Sequence, residues 1–139
     1  MSERTTTGSC LCGAVQFEIR GPQRGRPGYC HCVQCRRGVG ATPVAWATFE
    51  RAALSLLAGE PAWFQSSPAA RRGFCSACGS SLFFETSAEP DVVDVTVASL
   101  DQADDFAPAL HIFVPSKVAW ARLDDGLPRH ERDSRSPLV

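Results

Sequence analysis

The fold depends most on a short segment, Cys75-Ser-Ala-Cys-Gly79, in which two cysteines stand three positions apart and a glycine follows the second. A similar segment, Cys10-Leu-Cys-Gly13, lies more than sixty residues earlier in the chain. Glycine after the second cysteine allows a tight turn whose backbone N–H groups point at the sulfurs. A metal ion held by both segments would close a long loop, and such a cross-link constrains the unfolded chain strongly. The two segments therefore predict one metal site that clamps the fold.

The remaining cysteines form a third cluster, Cys30-His-Cys-Val-Gln-Cys35, which is followed by Arg36 and Arg37. The 139 residues contain 7 cysteines, and four cysteine pairs are two or three residues apart. Random placement would give about 0.7 such pairs, so the clustering is a real excess. Short spacings let one turn of backbone present two thiolates to the same ion. Zinc is the usual ion for all-sulfur ligation in an intracellular domain.

Seven ligands divide naturally into four and three. A closed structural zinc takes four protein ligands, whereas a catalytic zinc takes three and leaves one position to water or substrate. We therefore expect two zinc ions per chain, of which the second is the more labile. The glycines that follow two of the pairs assign the closed site to Cys10, Cys12, Cys75 and Cys78. The open, active site is then left with Cys30, Cys32 and Cys35.

Three other interpretations of the cysteines stay open. An iron–sulfur cluster also uses thiolate ligands. One four-cysteine zinc could stand beside three buried free thiols, because free cysteines are common core residues. His31 could be a further ligand, although in an extended segment its side chain points away from those of Cys30 and Cys32.

Length and composition narrow the class of protein. A chain of 139 residues with 44% hydrophobic and 21% charged residues is typical of one globular domain. The net charge of −1 gives no electrostatic footprint for nucleic acid. No stretch approaches the roughly 18 apolar residues of a membrane span, and the N-terminus lacks the apolar core of a secretory signal. The sequence thus predicts a cytoplasmic protein without a membrane partner, where reduced thiols favour metal ligation over disulfides.

The rest of the chain has the pattern of short strands joined by turns. Alternating or β-branched segments predict strands at 14–20, 43–49, 62–65, 81–85, 92–97 and 110–114. Two short helices are expected, one after Cys32 and one at 51–57, where the pattern also allows a strand. We expect one mainly β domain over residues 1–125 and a polar, loose tail over residues 126–139.

In order along the chain, the cysteine motifs resemble one known family. The matching segments are Gly8-Ser-Cys-Leu-Cys-Gly-Ala-Val15, Cys30-His-Cys-Val-Gln-Cys-Arg-Arg37, Arg72-Gly-Phe-Cys-Ser-Ala-Cys-Gly79 and His111-Ile-Phe-Val-Pro-Ser-Lys117, with Trp120 after them. These segments closely resemble the glutathione-dependent formaldehyde-activating enzyme family, over roughly residues 8 to 128. The resemblance implies an Mss4-like β fold, with one zinc at the four structural cysteines and one at the three-cysteine motif.

The resemblance also implies an activity. Family members of this kind act as carbon–sulfur lyases that join glutathione to formaldehyde and give S-hydroxymethylglutathione. A small-molecule thiol and a small aldehyde are therefore the expected partners. Arg36 and Arg37 could offset the negative charge of the thiolates, and Arg71, Arg72 or Lys117 could bind the carboxylates of glutathione. The predicted substrate-binding residues are Arg36, Arg37, Arg72, His111 and Lys117. The alternative function is a zinc-binding scaffold of the same fold that holds a partner protein without catalysis.

Overall fold

The computed structural model describes residues 4–139, in which ten strands and one α-helix alternate with short 3-10 turns. The strands are β1 (Thr5–Ser9), β2 (Gln16–Arg20), β3 (Gln23–Cys30), β4 (Val44–Glu50), β5 (Leu54–Ala58), β6 (Ala62–Gln65), β7 (Ala70–Phe74), β8 (Ser81–Thr86), β9 (Val92–Thr96) and β10 (Leu110–Ile112). The helix α1 spans Val33–Val39. The predicted mainly β class is confirmed.

Two sheets form the framework. The smaller has the strand order β1-β2-β5, and the larger has the order β10-β3-β4-β9-β8-β7-β6. Neighbouring strands are antiparallel except β10, which lies parallel to β3. The main core fills the space between the sheets, where the Phe17 ring of β2 meets the Phe83 ring of β8 edge-on at 5.0 Å. The small sheet therefore packs on one face of the large sheet.

The opposite face of the large sheet carries a second, smaller apolar cluster. In β4, Ala47 and Phe49 belong to the main core, whereas Val44 and Trp46 belong to the second cluster. Alternate residues of a strand point to opposite faces, which explains the division. Helix α1 covers this second face and contributes Cys35 to it.

Hairpin turns place the cysteines of the closed site. Cys10 and Cys12 lie in the turn between β1 and β2, and Cys75 and Cys78 lie in the turn between β7 and β8. The first hairpin belongs to the small sheet and the second to the large sheet. A metal bound by all four would therefore join the two sheets, as expected of a clamp.

Some local predictions were wrong. The segment 51–57 is not a helix: only Arg51–Ala53 forms a 3-10 turn, and β5 (Leu54–Ala58) follows as a strand against β2, which is the alternative that the pattern also allowed. Three strands were missed: β1, β3 and β7. They are rich in glycine, threonine or arginine, and they are strands because of their neighbours in the sheets rather than because of their own composition.

The C-terminal segment lies along β10. The N–H of His111 donates to the carbonyl of Pro128 at 2.8 Å, and the N–H of Phe113 donates to that of Arg132 at 3.0 Å. The division into a domain at 1–125 and a loose tail from 126 stays a prediction. Among the described residues, no helix has the length and apolar character needed to cross a membrane.

Candidate metal centres

The four-cysteine centre consists of Cys10, Cys12, Cys75 and Cys78, whose sulfurs all lie within 4.8 Å of one another. The Sγ atoms of Cys10 and Cys12 are 3.7 Å apart, and those of Cys12 and Cys75 are 3.8 Å apart. Four sulfurs bound tetrahedrally at about 2.3 Å from a zinc ion would be about 3.8 Å apart. The four thiols are therefore close enough to one another to bind a single tetrahedral metal ion.

Donors from the two turns surround these sulfurs. The N–H of Val15 donates to Sγ of Cys10 at 3.3 Å. The hydroxyl of Ser80 lies 3.1 Å from Sγ of Cys78 and, with help from backbone N–H groups, lowers the pKa of that thiol to about 5. The same hydroxyl oxygen accepts from the N–H of Leu11 at 3.0 Å, which ties one hairpin to the other. Such donors stabilise thiolates and orient them for a metal.

The three-cysteine centre consists of Cys30, Cys32 and Cys35, which also lie within 4.8 Å of one another. Cys30 is the last residue of β3, and Cys32 is the N-cap of α1 with an extended backbone. Sγ of Cys32 accepts from the N–H of Cys35 at 3.2 Å, as an N-cap side chain does. The strand end and the first turn of α1 thus bring three thiols together. Among residues 4–139, no fourth side chain of a ligand type joins this group.

The contacts among the three thiols give them different pKa values. The hydrogen bonds from Cys30 and then Cys35 lower the pKa of Cys32 to about 2. The pKa of Cys30 is raised far above its usual range by its hydrogen bonds to Cys32 and Cys35 and by burial. One negative charge is therefore held easily by the cluster, but further charge needs a cation. A divalent metal with an affinity for thiolate fits this donor set.

Apolar side chains enclose the three-cysteine centre. Cys30 and Cys35 are buried with Val44 and Trp46, while Cys32 is partly exposed. Phe84, Ile112 and Phe113 pack around them. Phe113 has a left-handed backbone with φ of 55°, which is uncommon for a residue other than glycine and often marks a functional site. The centre is thus partly exposed on the side of Cys32, and apolar side chains pack against the buried Cys30 and Cys35.

A buried arginine contacts the centre. Arg72 is 9% exposed, and its Nη1 and Nη2 atoms each donate to Sγ of Cys35 at 3.6 Å. Its guanidinium carbon lies 4.9 Å from the centre of the Phe84 ring, which supports it from the side. The hydrogen bond from Cys30 lowers the pKa of Cys35, but Cys32 and burial together raise it above its usual value, and the charge of Arg72 opposes that rise.

A chain of hydrogen bonds passes behind the centre. Nε2 of His31 lies 2.8 Å from Nδ1 of His111, and Nε2 of His111 lies 2.8 Å from Oδ2 of Asp125. Burial, and then the nearby His111, lower the pKa of His31. When His111 is neutral, its Nε2–H donates to Asp125 and its Nδ1 accepts from His31. The chain links the side chain of His31, which lies between Cys30 and Cys32, to β10 and Asp125, and His31 is a hydrogen-bonded core residue.

The other residues predicted to bind substrate or to offset thiolate charge lie on α1, on β7 and after β10. Arg36 is half-buried and Arg37 is exposed on α1. Arg71 packs over Trp63 at 3.9 Å and pairs with Glu85, and Nζ of Lys117 donates to the carbonyl of Ala121 at 3.2 Å. Their part in substrate binding stays a prediction.

Sequence reasoning missed three participants near the centre. Trp46 and Phe84 pack against the thiols, and Asp125 ends the histidine chain. Asp125 stands in a polar segment with no motif of its own, so nothing in the sequence marks it. The apolar alternation of β4 and β8 could have placed Trp46 and Phe84 on one face of the sheet, but not beside the cysteines.

The family assignment follows from a match that spans both centres. Residues 5–116 match the sequence model of the family described as glutathione-dependent formaldehyde-activating enzyme. The chain belongs to this family. The resemblance expected from the motifs is thus confirmed, and all seven cysteines lie within the residues that match the formaldehyde-activating family.

Among the solved structures that are similar to this member of the formaldehyde-activating family is a crystal structure of a Rhodobacter sphaeroides protein, with a TM-score of 0.58 and 29% sequence identity. The similarity covers 68% of this chain and 87% of that one. No curated protein sequence matches the chain.

Proposed function

We propose that the protein adds a small thiol, such as glutathione, to formaldehyde or a related small aldehyde and gives an S-hydroxymethyl adduct. In class it is a carbon–sulfur lyase that uses zinc at the three-cysteine centre. The observation that supports this best is the convergence of three thiols with no fourth protein ligand among the described residues. A site of that kind leaves one position for a reactant.

The reaction needs a thiolate at the carbonyl carbon. The sulfur–carbon bond forms as the π bond of the aldehyde breaks, and the thiol proton ends on the aldehyde oxygen. A free thiol has a pKa near 8.5, so little thiolate is present at neutral pH. Zinc, when bound, supplies a Lewis acid that favours the deprotonated thiol and polarises the carbonyl.

The chain's own residues supply the setting. Cys30 and Cys35 hold the buried side of the centre, and the partly exposed Cys32 marks the side from which a substrate approaches. Trp46 and Phe84 keep water from the buried side, which strengthens electrostatic interactions there. The histidine chain anchors the side chain of His31, which lies between two of the thiols. These residues orient the reactants and exclude water.

Exchange spectroscopy by NMR tests the proposal, because formaldehyde and glutathione form the adduct reversibly without help. Catalytic amounts of the zinc-loaded protein should raise the exchange rate between free and adducted glutathione above the spontaneous rate. The Cys32→Ser variant should lose most of the gain. Gln34→Ala, an exposed change on the same helix, serves as the matched control and should keep it.

The failures have different meanings. If the parent protein gives only the spontaneous rate with glutathione, the thiol or the aldehyde is another one and a panel of both is needed. Failure across the panel would favour the scaffold function. Equal activity of parent and Cys32→Ser would remove the three-cysteine centre from the reaction.

A further inference from the structure

We infer that Arg72 is the positioning residue that balances the charge of the three-cysteine centre, holds Cys35 and so determines how tightly the centre keeps its metal. This inference shares with the proposed function only the premise that the three thiolates ligate a metal. It needs neither glutathione nor an aldehyde. Arg72 therefore acts through the centre and is not itself a catalytic residue.

The geometry carries the first step. Arg72 reaches across from β7, and both of its terminal nitrogens donate to one sulfur at the same distance of 3.6 Å. A planar guanidinium that donates twice fixes the direction of its acceptor as well as its charge. Phe84 lies against the guanidinium, and Gly38 of α1 lies beside its Cδ atom. The arginine therefore occupies a slot with little freedom.

Charge carries the second step. Three thiolates around a divalent ion leave a charge of −1, and Cys30 and Cys35 are only 3% and 7% exposed. A buried charge is costly unless it is paired. Among the described residues, no carboxylate lies within ion-pair distance of Arg72, although the neighbouring Arg71 pairs with Glu85. A buried arginine without a carboxylate needs another anion, and the Cys35 thiolate of this centre is the anion in contact with it.

The four-cysteine centre differs in its surroundings, because no arginine contacts its sulfurs among the described residues. Its sulfurs receive backbone N–H groups and the Ser80 hydroxyl, and Cys12 is exposed to water. Solvent can offset charge there. The three-cysteine centre is enclosed by aromatic and aliphatic side chains, so an internal cation takes the place of solvent.

Metal affinity tests the inference directly. In the purified, reduced protein, a chromophoric chelator competes for zinc, and the two centres are titrated separately. Arg72→Gln should weaken the three-cysteine centre about 10- to 100-fold, the range seen when a residue supporting a metal ligand is changed. Arg72→Lys keeps the charge without the double contact and should lie between the parent and Arg72→Gln. The four-cysteine centre should keep its affinity in both variants.

Arg71→Gln is the matched control. Arg71 is adjacent in sequence but packs over Trp63 on the other side of β7, so its loss should leave both zinc affinities at the parent's values. An Arg72→Gln protein whose second centre binds zinc within twofold of the parent would overturn the inference. If Arg72→Gln does not fold, Arg72→Lys decides: a loss of threefold or more supports the double contact, and an unchanged affinity overturns it. Absence of glutathione turnover in the parent would count against the proposed function and leave this result untouched.

Discussion

Asp94 offers a test of the electrostatics of the fold that does not depend on metal chemistry. It lies in β9 on the face opposite the main core, where it pairs with Phe84 and accepts a hydrogen bond of 2.5 Å from the Thr48 hydroxyl. Burial raises the pKa of this carboxyl from 3.8 to about 6. The folded chain therefore holds this proton more tightly than the unfolded chain does. At a pH below both pKa values, 3.8 in the unfolded chain and about 6 in the folded chain, Asp94 is protonated in both states and the shift does not affect stability. At a pH above both values the carboxyl is ionised in both states, and the whole shift lowers the free energy of unfolding.

The size of the effect follows from the shift. At about 1.36 kcal/mol for each pKa unit, the loss of stability approaches 3 kcal/mol at pH 8 and is about half as large at pH 5. Asp94→Asn keeps an oxygen that can accept from Thr48 and removes the titration. The gain in the free energy of unfolding should thus be larger at pH 8 than at pH 5, by about 1.5 kcal/mol.

Urea unfolding at a series of pH values, with zinc and reductant present throughout, measures this difference. Any loss of hydrogen bonding in the variant changes its free energy of unfolding by the same amount at every pH. The dependence of the difference on pH therefore reports the titration of Asp94. The same change at the exposed Asp104 serves as the matched control. A constant difference between Asp94→Asn and the parent from pH 5 to pH 8 would show that burial does not raise the pKa of Asp94.

Two further predictions concern the clamp and the packing between the sheets. Cys75→Ser should prevent metal binding at the four-cysteine centre, and such a structural zinc contributes on the order of 10 kcal/mol to folding in small domains. The variant should therefore be largely unfolded by circular dichroism. Ser76→Ala, a change at an exposed neighbour, is the control and should match the parent. Gly8→Ala should lower the free energy of unfolding by about 1–3 kcal/mol, because the added Cβ would lie 2.7 Å from the carbonyl oxygen of Ser99 and would also meet the Phe17 ring. If Cys75→Ser or Gly8→Ala unfolds thermally at the same midpoint as the parent, the prediction for that variant is wrong.

The cysteine groups could be predicted because ligation depends on local spacing. The turn glycines Gly13 and Gly79 both have positive φ near 80°, as the tight turns after the second cysteines require. The strands with alternating apolar residues were also predictable, because one face of each packs on a core. In β3 the segment Gln23–Cys30 contains two glycines, a proline and two arginines, and its register shifts between Arg24 and Gly28. Pairing with β4 and β10 makes it a strand, and no local signal reports that pairing.

The position of Arg72 beside the three-cysteine centre also could not be predicted from the sequence. Arg36 and Arg37 follow Cys35 directly, yet successive residues of a helix point about 100° apart, so neighbours in sequence do not share a face. The arginine that contacts Cys35 comes from 37 positions away and crosses from β7. Spacing along the chain identifies ligands that one turn brings together. Contacts made across a sheet depend on the tertiary fold.

We expect that the four-cysteine centre is closed and clamps the fold, while the three-cysteine centre is open and exchanges its metal. Zinc per chain, measured by elemental analysis before and after treatment with a mild chelator, tests it most directly, with circular dichroism recorded on the same samples. We expect two zinc ions before treatment, one after it, and an unchanged fold, because the four-cysteine centre encloses its ion with ligands from both sheets. Release of both ions together with loss of the fold would contradict the account.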